Sequence, residues 1–177
     1  MKHSIIILVT TLLLFTSCNA LAAKKNNKKR LDVKLCPISG IGFDDGDSFS
    51  CDGEQIRILG VDTPETRHPD HGFMKDQPMG KKATRFTYNA LKKAKRILII
   101  RGGKGYYGRT LAHVLLDGEL LGVKLIKAGF AFENISRYGD NGMPEFALEI
   151  SETWKSSPRP KFQDPHLWRK QNRGKLD

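Results

Sequence analysis

The chain is poor in cysteine and has none of the cysteine and histidine spacings that hold structural zinc. Three cysteines occur among 177 residues, and no C-x-x-C pair is present. His68 and His71 flank Pro69, and Gly72 follows, so these histidines belong to a loop and not to one helix face. A zinc site at this pair is therefore the lesser alternative, and no HNH-type or Ser/His/Asp arrangement is apparent.

The sequence also lacks an apolar run long enough to span a bilayer. The run from Ile5 to Phe15, behind the cationic Lys2, has the length of a signal-peptide core. Two processing sites compete after it: Cys18 in a lipoprotein-like context, and Ala20-Leu21-Ala22 for ordinary cleavage. We expect residues 1–22 to be a signal peptide and the protein to be exported, as an outer-membrane or cell-envelope lipoprotein or in secreted form.

The chain has few acidic residues relative to basic ones. Lysine and arginine number 30 against 19 aspartate and glutamate residues, which gives a net charge of +11 and a pI of about 9.7. This balance favours a polyanionic partner, either nucleic acid or an anionic membrane surface, over a basic surface without a specific partner. A hydrophobic fraction of 39% suits one globular domain. We place a basic disordered tether at residues 23–31, the domain at 32–170 and a basic tail at 171–177.

Two cysteines remain once Cys18 is assigned to processing. An exported location permits a disulfide between Cys36 and Cys51. A tight hairpin around Asp45-Gly46 would set Cys51 opposite a residue near Gly40, so direct pairing requires an offset or a bulge. Bridged and free cysteines both remain open at this stage.

Hydrophobic periodicity predicts five strands and about three helices. The predicted strands are Val33–Phe43, Ser48–Cys51, Gln55–Val61, Ile97–Arg101 and Thr110–Leu116. Helices are expected from near Pro78, over Leu120–Ala128, and from near Pro144 past Trp154, with a glycine-rich loop at Gly102–Gly108. This order is typical of an α+β, mainly β protein built on a five-stranded Greek-key barrel of the OB-fold type.

Three short segments contain the residues suited to phosphodiester chemistry. Asp47 and Asp62, with the carbonyl of Thr63, offer oxygen ligands to a hard divalent cation. Arg57 and Arg109 offer planar guanidinium forks that match phosphate oxygens. Arginines and carboxylates together in a basic protein indicate a site that holds a metal and a phosphodiester.

The acidic turn is weak evidence when taken alone. Asp45-Gly46-Asp47 is also an ordinary β-turn sequence, and Phe49 excludes an EF-hand because a third Asp or Asn is needed at that position. The metal-site interpretation becomes the better one beside Val61-Asp62-Thr63-Pro64-Glu65.

Taken in order, these segments resemble the staphylococcal nuclease family, over roughly Val33 to Trp168. The resemblance implies the OB fold and a calcium ion, Ca2+. It also implies these roles: Asp47, Asp62 and Thr63 as calcium ligands, Arg57 and Arg109 as phosphate clamps, Glu65 as general base or water-orienting residue, and Tyr107 as a contact of a terminal phosphate.

The chain departs from the family pattern at positions where the family's residues bind nucleotides. Tyr106 stands where the family's best-known member has a phosphate-contacting lysine, and Tyr138 is the one aromatic residue in the segment of base-stacking tyrosines. Tyr138 is therefore the candidate for stacking. Phe130 and Phe132 could also stack on bases, although core packing is the favoured interpretation for both.

Together with this resemblance, the sequence predicts a calcium-dependent, sugar-nonspecific nuclease that acts on DNA and RNA. The resemblance implies that it leaves 3′-phosphate and 5′-hydroxyl ends. We expect a monomer, attached to the membrane by lipid if Cys18 is processed. The alternative is a non-catalytic OB-fold module that binds single-stranded nucleic acid at the cell envelope, and a third reading is a basic lipoprotein that only bridges anionic surfaces. The carboxylates favour the enzyme, since in a pure binding surface they would repel phosphate.

Overall fold

The computed structural model describes residues 30–174. The predicted signal peptide, the lipidation site at Cys18, most of the tether and the last three residues lie outside the described residues. The strands are Asp32–Cys36 (β1), Ile41–Phe43 (β2), Ser48–Cys51 (β3), Glu54–Ile58 (β4), Val61–Asp62 (β5), Ile97–Lys104 (β6), Thr110–Leu116 (β7), Glu119–Leu120 (β8) and Phe132–Glu133 (β9). The helices are Gly80–Lys93 (α1), Leu121–Lys127 (α2), Ile135–Tyr138 (α3), Pro144–Ser156 (α4) and Pro165–Asn172 (α5).

Seven strands form one mixed sheet in the order β1-β6-β7-β4-β3-β2, with β8 paired to β7. The pairing of β4 with β7 is parallel, and the other pairs are antiparallel. A short separate pair joins β5 to β9. The curled sheet with its helices confirms the predicted α+β fold of OB type. The helices number five in the described part of the chain, against about three expected.

The core lies between the sheet and helices α1, α2 and α4. Alternation along β7 buries Ala112, Val114 and Leu116, and Phe49 on β3 is fully buried. Each large apolar side chain buried in this way stabilises the fold by roughly 1.5–3 kcal/mol. Among the described residues, no helix is both long and apolar enough to cross a membrane.

Two of the predicted strands are too long. The expected strand Val33–Phe43 is broken after Cys36, because Pro37 cannot donate to a strand neighbour and a 3-10 turn at Ile38–Gly40 follows it. The strand expected over Gln55–Val61 ends at Ile58. The chain turns there through Gly60, whose φ is +82°, and Val61 pairs instead with Glu133.

Strand β6 runs further into the glycine-rich segment than predicted. It continues to Lys104 with an irregularity between Arg101 and Gly103. A β-carbon on Gly102 would lie 2.7 Å from Cε of Met143 and 2.9 Å from Cδ1 of Leu59. Glycine is therefore present at this position because the strand packs tightly there.

A disulfide joins Cys36 to Cys51, with the Cα atoms 6.0 Å apart. Cys51 lies opposite Ile41 in the β2–β3 hairpin, one residue beyond Gly40. Cys36 reaches it because β1 pairs with β6 and lies at the other edge of the sheet. The bond therefore ties an edge strand to β3 across the curl of the sheet.

Candidate active site

The predicted site residues meet where β3, β4 and β7 lie side by side. Asp47 directly precedes β3, whose first residue, Ser48, faces Arg57 on β4. Arg109 directly precedes β7, which runs parallel to β4. Because these strands are neighbours, side chains from three distant segments are brought to one place.

The loop that carries Asp47 is held by close backbone approaches. The backbone N–H of Thr63 donates to Oδ2 of Asp47 at 2.7 Å. A β-carbon on Gly46 would lie 2.6 Å from Oγ1 of Thr63, so only glycine permits this approach. The carbonyl of Gly46 also accepts from the buried hydroxyl of Thr87 on α1 at 2.6 Å. The helix thus fixes the loop that presents Asp47.

Arg57 joins the two candidate metal ligands. Its guanidinium contacts Oδ1 of Asp47 and donates to Oδ1 of Asp62 at 2.9 Å. Each aspartate is only 1% exposed, so the guanidinium offsets much of the cost of burying two carboxylates. Among the atoms described, the buried Oγ1 of Thr63 has no hydrogen-bond partner.

Glu65 lies just beyond β5 and is held through its backbone. Its N–H donates to Oε1 of Gln77 at 3.2 Å, and its carbonyl accepts from the N–H of Gln77 at 2.8 Å. Burial raises the pKa of the Glu65 carboxyl, and the neighbouring Asp45 raises it further. The raised pKa makes Glu65 a better proton acceptor than an exposed glutamate.

Arg169 is a member of the site that the sequence did not reveal. It donates from Nη1 and Nη2 to the two carboxylate oxygens of Asp62 at 2.9 and 2.6 Å, and from Nη1 to Oε1 of Glu65 at 2.5 Å. Burial opposes ionisation of Asp62, but the hydrogen bonds from Arg169 and the charge of Arg57 hold its pKa below the usual range.

Helix α5 delivers Arg169, and the only sequence signal for that helix was its cap. Asp164 accepts from the N–H of His166 at 2.8 Å, and Pro165 follows as the first helical residue. Trp168 is 5% exposed and packs on Phe73 with ring centroids 5.8 Å apart. The last helix that the sequence predicts runs from near Pro144 past Trp154, so α5 and its contact with the site are not predicted.

Arg109 is less tightly engaged than Arg57. It donates to the hydroxyl of Ser48 at 3.3 Å, and its buried Nε makes no hydrogen bond within residues 30–174. Burial lowers the pKa of Arg109, and the positive charge of Arg57 lowers it further. Ser48, to which Arg109 donates, lies opposite Arg57 in the β3–β4 pair, so the two guanidinium groups are well placed for a shared anion.

The aromatic candidates differ in exposure. Tyr107 is 73% exposed, has a φ of +61° and stacks on His71 with centroids 5.4 Å apart. His71 stacks in turn on His68 at 4.0 Å. Tyr138 on α3 is 58% exposed. Tyr107 and Tyr138 therefore both present ring surface to solvent.

Phe130 and Phe132 pack against other rings of the protein. Phe130 contacts Phe86 with centroids 5.3 Å apart, and Phe132 contacts Trp154 at 5.4 Å and Phe162 at 5.5 Å. Both phenylalanines are half-buried. Core packing, the favoured reading of the sequence, agrees with these contacts.

The donor chemistry of Asp47, Asp62 and Thr63 fits a hard cation, because two buried carboxylates lie beside a buried hydroxyl without a partner. The oxygens of Asp62 are, however, engaged by guanidinium groups. No cluster of three or more His, Cys, Asp or Glu side chains suited to a metal occurs between residues 30 and 174.

A sequence-family model described as Staphylococcal nuclease homologue matches residues 55–152. The thermonuclease of Staphylococcus intermedius is 44% identical over 92 residues, which cover 49% of this chain and 53% of that protein. Endonuclease YncB of Bacillus subtilis is 33% identical over 139 residues, covering 72% of this chain and 60% of the relative. An uncharacterized endonuclease of Haemophilus influenzae is 28% identical over 132 residues, covering 72% and 63%.

The chain spans between about half and two thirds of the length of these relatives. The matched residues 55–152 include Arg57, Asp62, Glu65 and Arg109. Helix α5 with Arg169 lies beyond them.

Proposed function

Because the chain belongs to the staphylococcal nuclease family, we propose that it is a nuclease that hydrolyses phosphodiester bonds in DNA and RNA. The observation that carries this proposal is the contact of Arg57 with both Asp47 and Asp62, next to Arg109. A surface that only bound nucleic acid would gain nothing from buried carboxylates, because they repel phosphate. The carboxylates have a use if they hold a cation and activate water.

Calcium is the proposed metal, held by Asp47, Asp62 and the carbonyl of Thr63. These are hard oxygen donors, and calcium accepts carboxylate, carbonyl and water ligands in flexible geometry. When bound, the ion would polarise a phosphate oxygen and offset the charge that develops during hydrolysis.

The side chains around this position have separate proposed roles. Arg57 and Arg109 donate in forks to the phosphate oxygens. Glu65 takes a proton from the attacking water at its carboxylate, or orients that water, and its raised pKa supports this role. Tyr107 contacts a terminal phosphate, and Tyr138 stacks on a base. The resemblance to the family favours products with 3′-phosphate and 5′-hydroxyl ends.

Export from the cytoplasm is part of the proposal. The Cys36–Cys51 disulfide supports an oxidising compartment, since such bonds are rare in reducing ones. The signal-peptide pattern at residues 1–22 and Cys18 supports an envelope lipoprotein or a secreted protein, which we propose to be monomeric.

The role of Glu65 is tested by Glu65→Gln, with Glu149→Gln on the exposed face of α4 as the matched control. We expect Glu65→Gln to lower the rate of DNA cleavage by about 100-fold or more while the circular dichroism spectrum is unchanged. Glu149→Gln should cleave at the wild-type rate. Wild-type cleavage by Glu65→Gln would contradict the assigned role.

A further inference from the structure

We propose that Arg169 is a tethered cation that competes with the divalent metal for Asp62 and Glu65, so that helix α5 sets the metal affinity of the site. This inference rests on the proposed metal position. It concerns a residue outside the matched family segment, which ends at position 152.

Arg169 occupies the carboxylate oxygens that a metal would need. Arg169 engages both carboxylate oxygens of Asp62 and one oxygen of Glu65. The side chain of Asp62 is 2% exposed, so almost no surface of this carboxylate is left for another cation while the contact persists. Oδ1 of Asp62 accepts from both Arg57 and Arg169, so a metal that takes this oxygen must displace one of the two guanidinium groups.

Arg169 also changes the net charge of the site. Asp47, Asp62 and Glu65 contact two guanidinium groups, those of Arg57 and Arg169. With all five groups ionised, the cluster carries one net negative charge, and a divalent cation would leave it positive. Without Arg169 the cluster carries two negative charges, which a divalent cation would balance. Removing this guanidinium therefore favours the metal.

Helix α5 is attached beside the site by several contacts. Trp168 packs on Phe73, and the N–H of Gly174 donates to the carbonyl of Gly72 at 2.9 Å. Gln77, whose backbone and side chain hold Glu65, donates from Nε2 to the carbonyl of Gln163 at 2.6 Å. The segment that positions Glu65 and the segment that delivers Arg169 are thus joined.

Competition of this kind is reciprocal. If displacing Arg169 costs metal affinity, then bound metal weakens the attachment of the arginine by the same factor. The apo site would be held together by Arg169, whereas the metal-loaded site would release it. The guanidinium of Arg169 on α5 then takes the place of the metal ion when no metal is bound.

The test compares calcium affinity in the full-length protein by isothermal titration calorimetry. Arg169→Met keeps the apolar stem and removes the charge, and Arg169→Lys keeps the charge but loses the fork. Arg137→Met is the matched control, because Arg137 pairs with Asp164 at the start of α5 at 3.3 Å. We expect Arg169→Met to bind calcium about tenfold more tightly and to unfold at a lower temperature in EDTA. Arg169→Lys should show a smaller gain, and Arg137→Met should bind calcium like the wild type.

Equal or weaker calcium binding by Arg169→Met would overturn the proposal, as would the absence of calcium binding in both this variant and the wild type. If Arg169→Met does not fold in EDTA, Arg169→Lys decides, and wild-type affinity in that variant counts against competition. Cleavage of DNA by the wild type is a separate measurement. If the wild type cleaves DNA but its calcium affinity does not change in Arg169→Met, only this inference is wrong. If Arg169→Met binds calcium more tightly but the wild type does not cleave DNA, only the proposed nuclease function is wrong.

Discussion

Gly80 packs against the backbone of Glu65 with no room for a side chain: a β-carbon at position 80 would lie 2.3 Å from the Glu65 carbonyl oxygen. The first turn of α1 therefore fixes the position of the candidate base. The same carbonyl accepts from the N–H of Gln77. A shift at the start of α1 should consequently move the Glu65 loop with it.

We predict that Gly80→Ala shifts this loop and lowers both stability and activity. The clash is with backbone and cannot be relieved by a rotamer change, so we expect a loss of about 1–3 kcal/mol in the free energy of unfolding. Displacement of Glu65 should lower kcat/KM for DNA by about tenfold or more. Lys82→Ala, at an exposed position of the same helix, should change neither quantity. A fully active Gly80→Ala variant would show that the loop position is not critical.

Substitution by lysine should affect stability differently at the two candidate phosphate clamps, Arg57 and Arg109. Arg57 contacts two buried carboxylates, so Arg57→Lys should lower the free energy of unfolding by about 2 kcal/mol as well as activity. Among the described residues, Arg109 donates a hydrogen bond only to Ser48, so Arg109→Lys should change the free energy of unfolding by less than about 1 kcal/mol. Urea denaturation and a cleavage assay on each variant measure the two effects.

Both substitutions should lower cleavage strongly, since a lysine cannot donate two parallel bonds to phosphate. Equal losses of stability in the two variants would contradict the structural difference between the arginines. Retained activity in Arg109→Lys would remove it from the set of clamps.

The disulfide should stabilise the fold by closing the sheet. The bonded cysteines are 15 residues apart in sequence, and a loop of this length corresponds to about 3 kcal/mol. We predict that Cys36→Ser with Cys51→Ser lowers Tm by about 10 °C, measured by calorimetry. The reductant dithiothreitol should lower the Tm of the wild type by a similar amount and leave the double variant unchanged. An unchanged Tm in both experiments would contradict this account.

Sequence patterns predicted well the strands whose ends are marked by turns. Ser48–Cys51 and Thr110–Leu116 have the predicted bounds in the structure, because turn residues flank the first and the turn sequence Asp117-Gly118 ends the second. Val33–Phe43 was read as one strand because its apolar spacing continues through Pro37. The strand before that proline pairs with β6, some sixty residues away, whereas the strand after it pairs with β3, and the spacing of apolar residues carries no sign of this change of partner.

Long-range contacts explain what the sequence could not supply at the site. Asp47, Arg57 and Asp62 lie within one hairpin region, so their approach followed from local strand order. Arg169 lies 107 residues from Asp62 in sequence and on a helix that follows several prolines. Long-range contacts, among them the packing of Trp168 on Phe73 and the hydrogen bond from Gly174 to Gly72, bring that helix to the site, and no local pattern encodes them.

Glu54 should make stability depend on acid pH. It accepts from Arg101 at 2.9 and 2.6 Å and from the hydroxyl of Thr110 at 2.7 Å, and the Arg101 hydrogen bonds lower its pKa from the ordinary value of 4.5 to about 2. Because the folded pKa is depressed, the stabilisation is present above pH 4.5 and is lost as pH falls toward 2.

We predict that Glu54→Gln lowers the free energy of unfolding by about 2 kcal/mol at pH 7, measured by urea denaturation. The difference from the wild type should shrink steadily below pH 4.5, since the protonated wild-type carboxyl then resembles the amide. Glu152→Gln, an exposed change on α4, should show no such dependence. A pH-independent difference at Glu54 would assign its effect to packing and not to charge.

We propose that the arginines and carboxylates around Asp47 and Asp62 cleave nucleic acid with calcium. The most direct test of this proposal is digestion of an end-labelled single-stranded DNA by the wild-type protein with calcium and then with EDTA, followed by end-group analysis of the products. We predict cleavage with calcium only, leaving 3′-phosphate and 5′-hydroxyl ends. Binding of the DNA without cleavage at any calcium concentration, or products with 5′-phosphate ends, would contradict it.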